Sequence, residues 1–458
     1  MSMFSWNAKA VSDALGLPAA GWDHTYSGLS TDTRSLKHGE LFVALKGEKF
    51  DAHDYLGDAR LAEVGGVVVR KGTPRWPGFD WFEVDDTLVA LGQLARYRRE
   101  QMKGPVVTVT GTNGKTSTKE LIAAALGAQF KAVHRSEKNL NNLVGVPLTI
   151  LAAPVEADAM VVECGASLKG EIGRMREIAR PDVAVVTNVG AGHLEGFGSL
   201  ADVMKEKTSL LTGVATAVVG TKPANLPDEA RKQAKKVVTA GIEAPADWFA
   251  ESVTMREGGQ PTFTVRGVKV DLPLRGRHMV ANALVALAVA DAVGVPLKDA
   301  AAALANVTIP GGRSEISEVG GVTLINDCYN ANPTSLLAAL DLARDLRGNR
   351  RVVVVVGTMR ELGKESEAMH VEAAKAVLAM GPDVVAAVGD FATAFAALPD
   401  AKAVTLVSGK TPEDVAEGLK REIKPGDIVL LKASRGVQLE RLVPLLWPEQ
   451  AAQAAGAH

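Results

Sequence analysis

The sequence predicts an α/β protein in three parts: a small mixed α/β N-terminal module (residues 1–84), a central parallel-sheet domain (85–312) and a C-terminal Rossmann-like α/β domain (313–458). Three observations predict it. From Pro105 onward, short continuous apolar runs alternate with helical patterns, the signature of a buried parallel sheet. The alternation breaks at Ile309-Pro310-Gly311-Gly312-Arg313 and then restarts. The length of 458 residues accommodates about three domains at roughly 150 residues each.

In the first part, Leu41–Leu45, Val67–Val69 and Phe82–Val84 read as short strands between polar turns. Asp86–Met102 reads as a linking helix, with Leu88, Leu91, Leu94 and Ala95 at helical spacing and a basic end. In the central part, Val106–Thr110, Ala159–Val162, Val183–Thr187 and Ala215–Val219 read as strands, and Lys115–Leu126, Leu168–Ala179, Leu200–Leu211 and Arg277–Val293 as helices. Beyond the boundary, Val352–Val356, Val384–Val388, Ala403–Val407 and Ile428–Leu431 are the strands, with helices over Pro333–Arg347 and Ser366–Ala379. That second doubly wound unit is the basis for the Rossmann-like assignment.

Composition narrows the function. The 51 basic and 53 acidic side chains leave a net charge of −2, which excludes the strong basic footprint of a nucleic-acid binder. Hydrophobic residues at 47% supply ample core, which excludes global disorder. Cys164 and Cys328 cannot build a disulfide scaffold, Met1–Ala10 lacks a basic region followed by an apolar stretch, and no apolar run nears the ~20 residues of a membrane helix. A cytoplasmic setting is the expectation.

The strongest motif is Thr110-Gly111-Thr112-Asn113-Gly114-Lys115-Thr116-Ser117, which follows an apolar strand and opens a helix. Backbone N–H groups of such a loop surround phosphates at a helix N-terminus, so the central domain is of the P-loop, ATPase-like kind. Lys115 would reach the β- and γ-phosphates and the Thr116 hydroxyl would meet Mg²⁺. The first glycine of the general pattern would fall at Val109, so this is a shorter variant. Glu163 closes a strand, where a carboxylate faces the ligand crevice of a parallel sheet. It can hold Mg²⁺ there directly or through water. His193 lies in a glycine-rich loop past another strand; a lone loop histidine is equally a structural or a solvated one. His278 and Asn282 share one face of a helix, where an Asn amide can read an adenine edge or simply pack. Asp327, after a strand, can bind a ribose hydroxyl; Cys328 beside it reads as a packed thiol.

Taken together these segments resemble the Mur ligase family, over nearly the whole chain. Four of them carry the resemblance most closely: Ser30-Thr31-Asp32-Thr33-Arg34 with Gly39–Gly47, Asn139–Asn142 with Gly145–Thr149, His193–Gly198, and Tyr329–Pro333. The Asp-Asn-Pro-Arg signature of the members that add the third amino acid is absent. The resemblance implies an ATP-dependent C–N ligase of peptidoglycan synthesis. Such a ligase joins D-alanyl-D-alanine to a UDP-N-acetylmuramoyl tripeptide through an acyl phosphate. It implies ATP and two Mg²⁺ as cofactors, the tripeptide nucleotide and the dipeptide as partners, and a monomer without a membrane span. Other ligases of the fold, those adding the third residue or polyglutamylating folate, are the nearest alternatives; a P-loop regulatory NTPase is the alternative of a different class.

The resemblance also implies roles by position. Ser30, Thr31, Asp32, Arg34, Lys46 and Gly47 would hold the UDP end of the substrate, and Asn139 and Asn142 would also contact it. Gly111, Thr112, Asn113, Gly114, Lys115, Thr116 and Ser117 would form the ATP loop, with Asn282 at adenine, Asp327 at ribose and Arg313 reaching the phosphates. Thr116 and Glu163 would hold one Mg²⁺, His193 a second, and Lys207, as a carbamate, would bridge to that second ion. Tyr329, Asn330 and Asn332 would meet ATP and the incoming dipeptide. Met279, Asn326 and Ala433 depart from residues common in the family, and none of them touches the ATP loop or the implied metal ligands.

Overall fold

The computed structural model describes residues 4–57, 64–309 and 314–449. Arg313, with boundary residues 310–312, lies outside them. A four-stranded all-parallel sheet runs Leu29–Ser30, Leu41–Val43, Gly66–Arg70, Asp80–Val84. The helix Thr87–Glu100 leads from it, opened by Asp86, whose carboxylate accepts from the Leu88 and Val89 N–H groups. The basic end of this helix has a further use. Arg98 donates to the Ala153 and Pro154 carbonyls, and Arg99 to the Ala179 and Arg180 carbonyls and to Asp182. Two buried guanidiniums thus satisfy carbonyls at the C-terminal end of helix Glu171–Ala179 and just past the end of helix Gly145–Leu151. One apolar core, from Trp6 and Val68 through Leu91 and Leu94 to Val146 and Val162, joins the N-terminal sheet to the central one.

The central sheet has six parallel strands in the order Lys236–Ala240, Thr216–Gly220, Val183–Val186, Val106–Thr110, Ala159–Glu163, Val133–Arg135. The four inner strands are buried on both faces, as their apolar runs require, and the two edge strands are partly exposed. Register pairs Thr110 with Val186 and Val109 with Glu163. The three loops that carry the candidate site therefore leave the sheet at one level. Helix Lys115–Leu126 packs in one core with His278–Ala292, which is apolar nearly all round. A three-stranded antiparallel sheet, Ser252–Met255, Pro261–Val265 and Val268–Asp271, is inserted before that helix and has no counterpart in the sequence reading.

The C-terminal sheet runs Glu315–Val319, Val322–Asp327, Ile428–Lys432, Val352–Gly357, Val384–Val388, Thr405–Gly409, parallel except for its first, edge strand. Among the described residues no helix is long and apolar enough to cross a membrane.

Some expected bounds move. The helix expected from Leu168 begins at Glu171, because buried Glu206 accepts from the Gly170 and Ile172 N–H groups and fixes the start there. The strand expected over Ala403–Val407 spans Thr405–Gly409, since Pro399–Ala403 coils into a 3₁₀ turn. The Leu200–Leu211 helix finishes as 3₁₀ over Ser209–Leu211.

Candidate active site

The loop after Val106–Thr110 is shaped by two glycines. Gly111 takes φ +147°, and a Cβ there would lie 2.0 Å from Thr187 Oγ1. Gly114, at φ +78°, opens the helix, and a Cβ there would lie 2.8 Å from Asn282 Oδ1. Buried Asn282 is thus pressed directly against the loop. Thr187 Oγ1 and Asn188 Nδ2 donate to the Asn113 carbonyl (2.6 and 3.0 Å), and Asn188 Oδ1 accepts from the Asn113 N–H (3.0 Å). A neighbouring strand therefore clamps the loop from the side. Gly111→Ala is expected to lose ATP binding by about tenfold or more and to lower thermal stability, because both φ and space forbid the methyl; a nucleotide titration and a melting curve check it.

Lys115 Nζ folds back on the loop and donates to the Gly111 and Thr112 carbonyls (2.9 and 3.2 Å). The Thr116 hydroxyl donates to Glu163 Oε2 at 2.8 Å, both groups buried. Ser117 is buried in the same first turn. The other Glu163 oxygen accepts from Asn141 Nδ2 (2.9 Å), and the Glu163 N–H donates to Ser136 Oγ (3.0 Å). Asn141 and Ser136 are residues that sequence reasoning missed. Asn141 lies inside the quoted Asn139–Asn142 run, but nothing in that run distinguishes which amide meets the strand end. Asn142 instead caps Gly145–Leu151 through the Val144 and Gly145 N–H groups (3.1 and 2.8 Å), and the Asn139 carbonyl accepts from the Asn141 N–H (2.8 Å).

His193 heads the short helix Leu194–Phe197 with φ +55°. Its Nδ1 lies 2.7 Å from Glu361 Oε2, in a loop of the C-terminal sheet, and 3.4 Å from Ser167 Oγ. The histidine holds the Glu361 carboxyl below its ordinary range. Lys207 is 1% exposed, its ammonium 5.4 Å from the Phe197 ring centre. Burial, then repulsion from Lys115, lowers its pKa from 10.5 to about 7. Cys164, buried nearby, is pushed up by the same desolvation.

The C-terminal part reaches the loop through Asn332. Its Nδ2 donates to Asn113 Oδ1 (2.7 Å) and its Oδ1 accepts from Asn113 Nδ2 (3.1 Å), while it also caps helix Pro333–Arg347 with Ser335. Asp327 pairs with Lys432 at 2.7 Å, both largely buried, and accepts from the Ser314 N–H. Lys432 also donates to the Asn330 carbonyl (2.6 Å). Lys432 is an internal support of the Asp327–Asn332 segment. Asn330 is exposed and Tyr329 half-buried beside it. His278 is half-buried, and burial holds its imidazole below the ordinary range.

The N-terminal residues make their hydrogen bonds within their own module. Asp32 pairs with Arg34 through both oxygens and bonds Ser30, with Thr31 between them. Lys46 pairs with Asp51 (3.5 Å), and the Gly47 N–H donates to the Phe50 carbonyl, beside an exposed Phe50 ring.

Among the described residues no three His, Cys, Asp or Glu side chains converge as a self-sufficient metal cluster. The donors that do meet, a threonine hydroxyl and a carboxylate, are hard oxygens in the small number that Mg²⁺ takes from protein when phosphates and waters complete its shell.

Residues 109–290 match the Mur ligase middle domain, and residues 312–435 match the Mur ligase, glutamate ligase domain. A UDP-N-acetylmuramoyl-tripeptide--D-alanyl-D-alanine ligase of Bacillus subtilis is 35% identical, over 91% of this chain and 92% of that one. A crystal structure of MurF from Acinetobacter baumannii superposes with a TM-score of 0.86, at 29% identity, covering 97% of this chain and 99% of that one. MurF ligase from Thermotoga maritima in complex with ADP gives a TM-score of 0.80, at 28% identity, covering 93% and 98%.

Proposed function

The chain belongs to the Mur ligase family, and on that premise we propose that it is the ATP-dependent ligase that adds D-alanyl-D-alanine to a UDP-N-acetylmuramoyl tripeptide. The products are the pentapeptide nucleotide of peptidoglycan synthesis, ADP and phosphate. The observation that carries this reading is a convergence on one loop: Lys115 within it, the Thr116–Glu163 pair beneath it, and Asn332 of the C-terminal part bonded across it.

A carboxylate and an amine do not condense at neutral pH, because the leaving oxygen is poor. In the first step a carboxylate oxygen of the tripeptide attacks the γ-phosphorus of ATP, and the bond to the bridging oxygen of ADP breaks. The dipeptide amine then attacks the acyl carbon, loses a proton, and phosphate leaves. The loop N–H groups and the start of helix Lys115–Leu126 face the phosphates, and Lys115, leaving its two carbonyl partners, balances charge on the transferring group. Thr116 and Glu163 would hold one Mg²⁺, and His193 and a carbamylated Lys207 a second; the ions supply charge neutralisation to the phosphates. Burial that leaves much of Lys207 neutral near pH 7 favours its reaction with CO₂, and the carbamate places an anion where an ammonium stood.

Asn282, adjoining Gly114, suits adenine, and Asp327 suits ribose once it shares Lys432. Arg313 would reach the phosphates, and Tyr329, Asn330 and Asn332 the dipeptide. Ser30, Thr31, Asp32, Arg34, Lys46 and Gly47, with Asn139 and Asn142, would hold the nucleotide end of the tripeptide. In this reading residues 1–84, 85–312 and 313–458 bind that substrate, ATP and the dipeptide in turn, in a cytoplasmic monomer. Docking of the third part shuts water away from the acyl phosphate.

Phosphate release tests the proposal. It is expected to need ATP, Mg²⁺, a UDP-N-acetylmuramoyl tripeptide and D-alanyl-D-alanine together. Equal turnover with single amino acids in place of the dipeptide would assign the chain to another ligase of the fold. Turnover without any amine would make it an NTPase.

A further inference from the structure

Glu361 has no role in the site as assigned so far, yet its turn is built with unusual care. His370, 1% exposed, accepts the Met359 N–H at Nε2 (2.9 Å) while its Nδ1 bonds the Ser366 carbonyl (2.7 Å). Ser434 Oγ accepts the Arg360 N–H (2.9 Å), and the Arg360 guanidinium donates to the Gly436 carbonyl (3.0 Å). So pinned, Glu361 adopts φ +64°, a conformation that costs energy for a residue with a side chain. The turn then meets the central part at one place. The Glu361 carbonyl accepts the Glu195 N–H (3.1 Å), and its carboxylate lies 2.7 Å from His193 Nδ1. A side chain at Gly363, which takes φ +59°, would be strained and crowded, since a Cβ would lie 3.2 Å from Glu195 Cα.

We propose that Glu361 is a positioning residue for His193, delivered by the C-terminal part of the chain. Its carboxylate takes the Nδ1–H and leaves the lone pair on Nε2, the form in which an imidazole binds a cation. His193 is therefore set in ligand form only when the turn Met359–Gly363 is docked against Leu194–Phe197, which couples docking of the two parts to completion of the site. Ser167, at 3.4 Å from the same nitrogen, is the weaker partner left when Glu361 is withdrawn. The inference rests on the reading of His193 as a Mg²⁺ ligand given above.

The test uses the full chain labelled with ¹⁵N and free of metal. Long-range ¹H–¹⁵N spectra report the protonated nitrogen of each imidazole, with His193 assigned through His193→Gln. The expected result is that the neutral ring of wild-type His193, read at a pH where the imidazole signals show a single proton, carries that proton at Nδ1. Glu361→Gln should retain that state, because its amide oxygen accepts the same proton. Glu361→Ala should lose it to an average of both tautomers. In parallel, Glu361→Ala should raise the Mg²⁺ concentration for half-maximal phosphate release by about tenfold or more, and should add nothing in a His193→Ala background. A neutral wild-type His193 ring protonated at Nε2, ring signals unmoved by Glu361→Ala, or a full further rise in the His193→Ala background would each overturn the proposal. If His193→Ala alone leaves the Mg²⁺ requirement unchanged, the metal-ligand reading fails, and the ring signals still decide what Glu361 does.

Discussion

Lys207→Ala should lower kcat by roughly 10³ or more, with partial recovery in added formate or acetate and no comparable recovery in chloride. An ammonium that is 1% exposed, with no ion pair or hydrogen bond of its own among the described residues, is a destabilising feature unless function retains it. Its pKa near 7 against 10.5 unfolded corresponds to a cost of the order of 5 kcal/mol. Between pH 7 and 10.5 the unfolded chain binds the extra proton, so this contribution to stability rises with pH across that window. The penalty is complete below pH 7 and absent above 10.5. Lys207→Met should accordingly melt at a higher temperature than the wild type in CO₂-free buffer, by a margin wider at pH 6 than at pH 9, while remaining inactive. Full activity in Lys207→Ala, or a Lys207→Met that is less stable at pH 6, would contradict the account.

The second large effect is expected at Glu163. Glu163→Gln keeps the shape but turns an acceptor toward two donors, the Thr116 hydroxyl and the Asn141 amide, into a group that can satisfy only one of them as an acceptor. It also removes a carboxylate that lies directly under the ATP loop. The Mg²⁺ concentration for half-maximal activity should rise about 10- to 100-fold, and kcat at saturating Mg²⁺ should fall by about 10². Thermal stability should change little, since the side-chain volume is conserved and the Thr116 hydroxyl can turn to accept from the new amide. A Mg²⁺ titration of phosphate release reads the first two quantities, and an unchanged midpoint would remove Glu163 from the metal site.

Much of this was legible in the chain because the signals are local. A β-branched run followed by Gly-Thr-Asn-Gly-Lys-Thr fixes strand, turn and helix within a dozen residues, and the structure forms each of them there. Glu163 could be read because it ends an apolar run, and a parallel strand's end has one place to point. The pairing of His193 with Glu361 could not, since each sits in a glycine-containing loop and only the docking of two sheets brings them together. The same holds for Asn113 with Asn332. Arg98 and Arg99 looked like a basic helix end and proved to be buried caps for two distant helices, a use that depends on tertiary neighbours. The Ser252–Asp271 sheet was hidden by strands of four or five residues with mixed polarity, too short to separate from loop by period alone.

In the proposed reaction ATP activates the acid end of a peptide before the amine arrives. Its most direct test is isotopic: a tripeptide nucleotide whose terminal carboxylate carries ¹⁸O, turned over with unlabelled ATP and D-alanyl-D-alanine. One ¹⁸O per turnover should appear in the released phosphate, because the acyl oxygen leaves with phosphorus. Phosphate free of label, formed in step with amide, would mean that no acyl phosphate is made and would contradict the assignment of Lys115, Thr116 and Glu163 to that step.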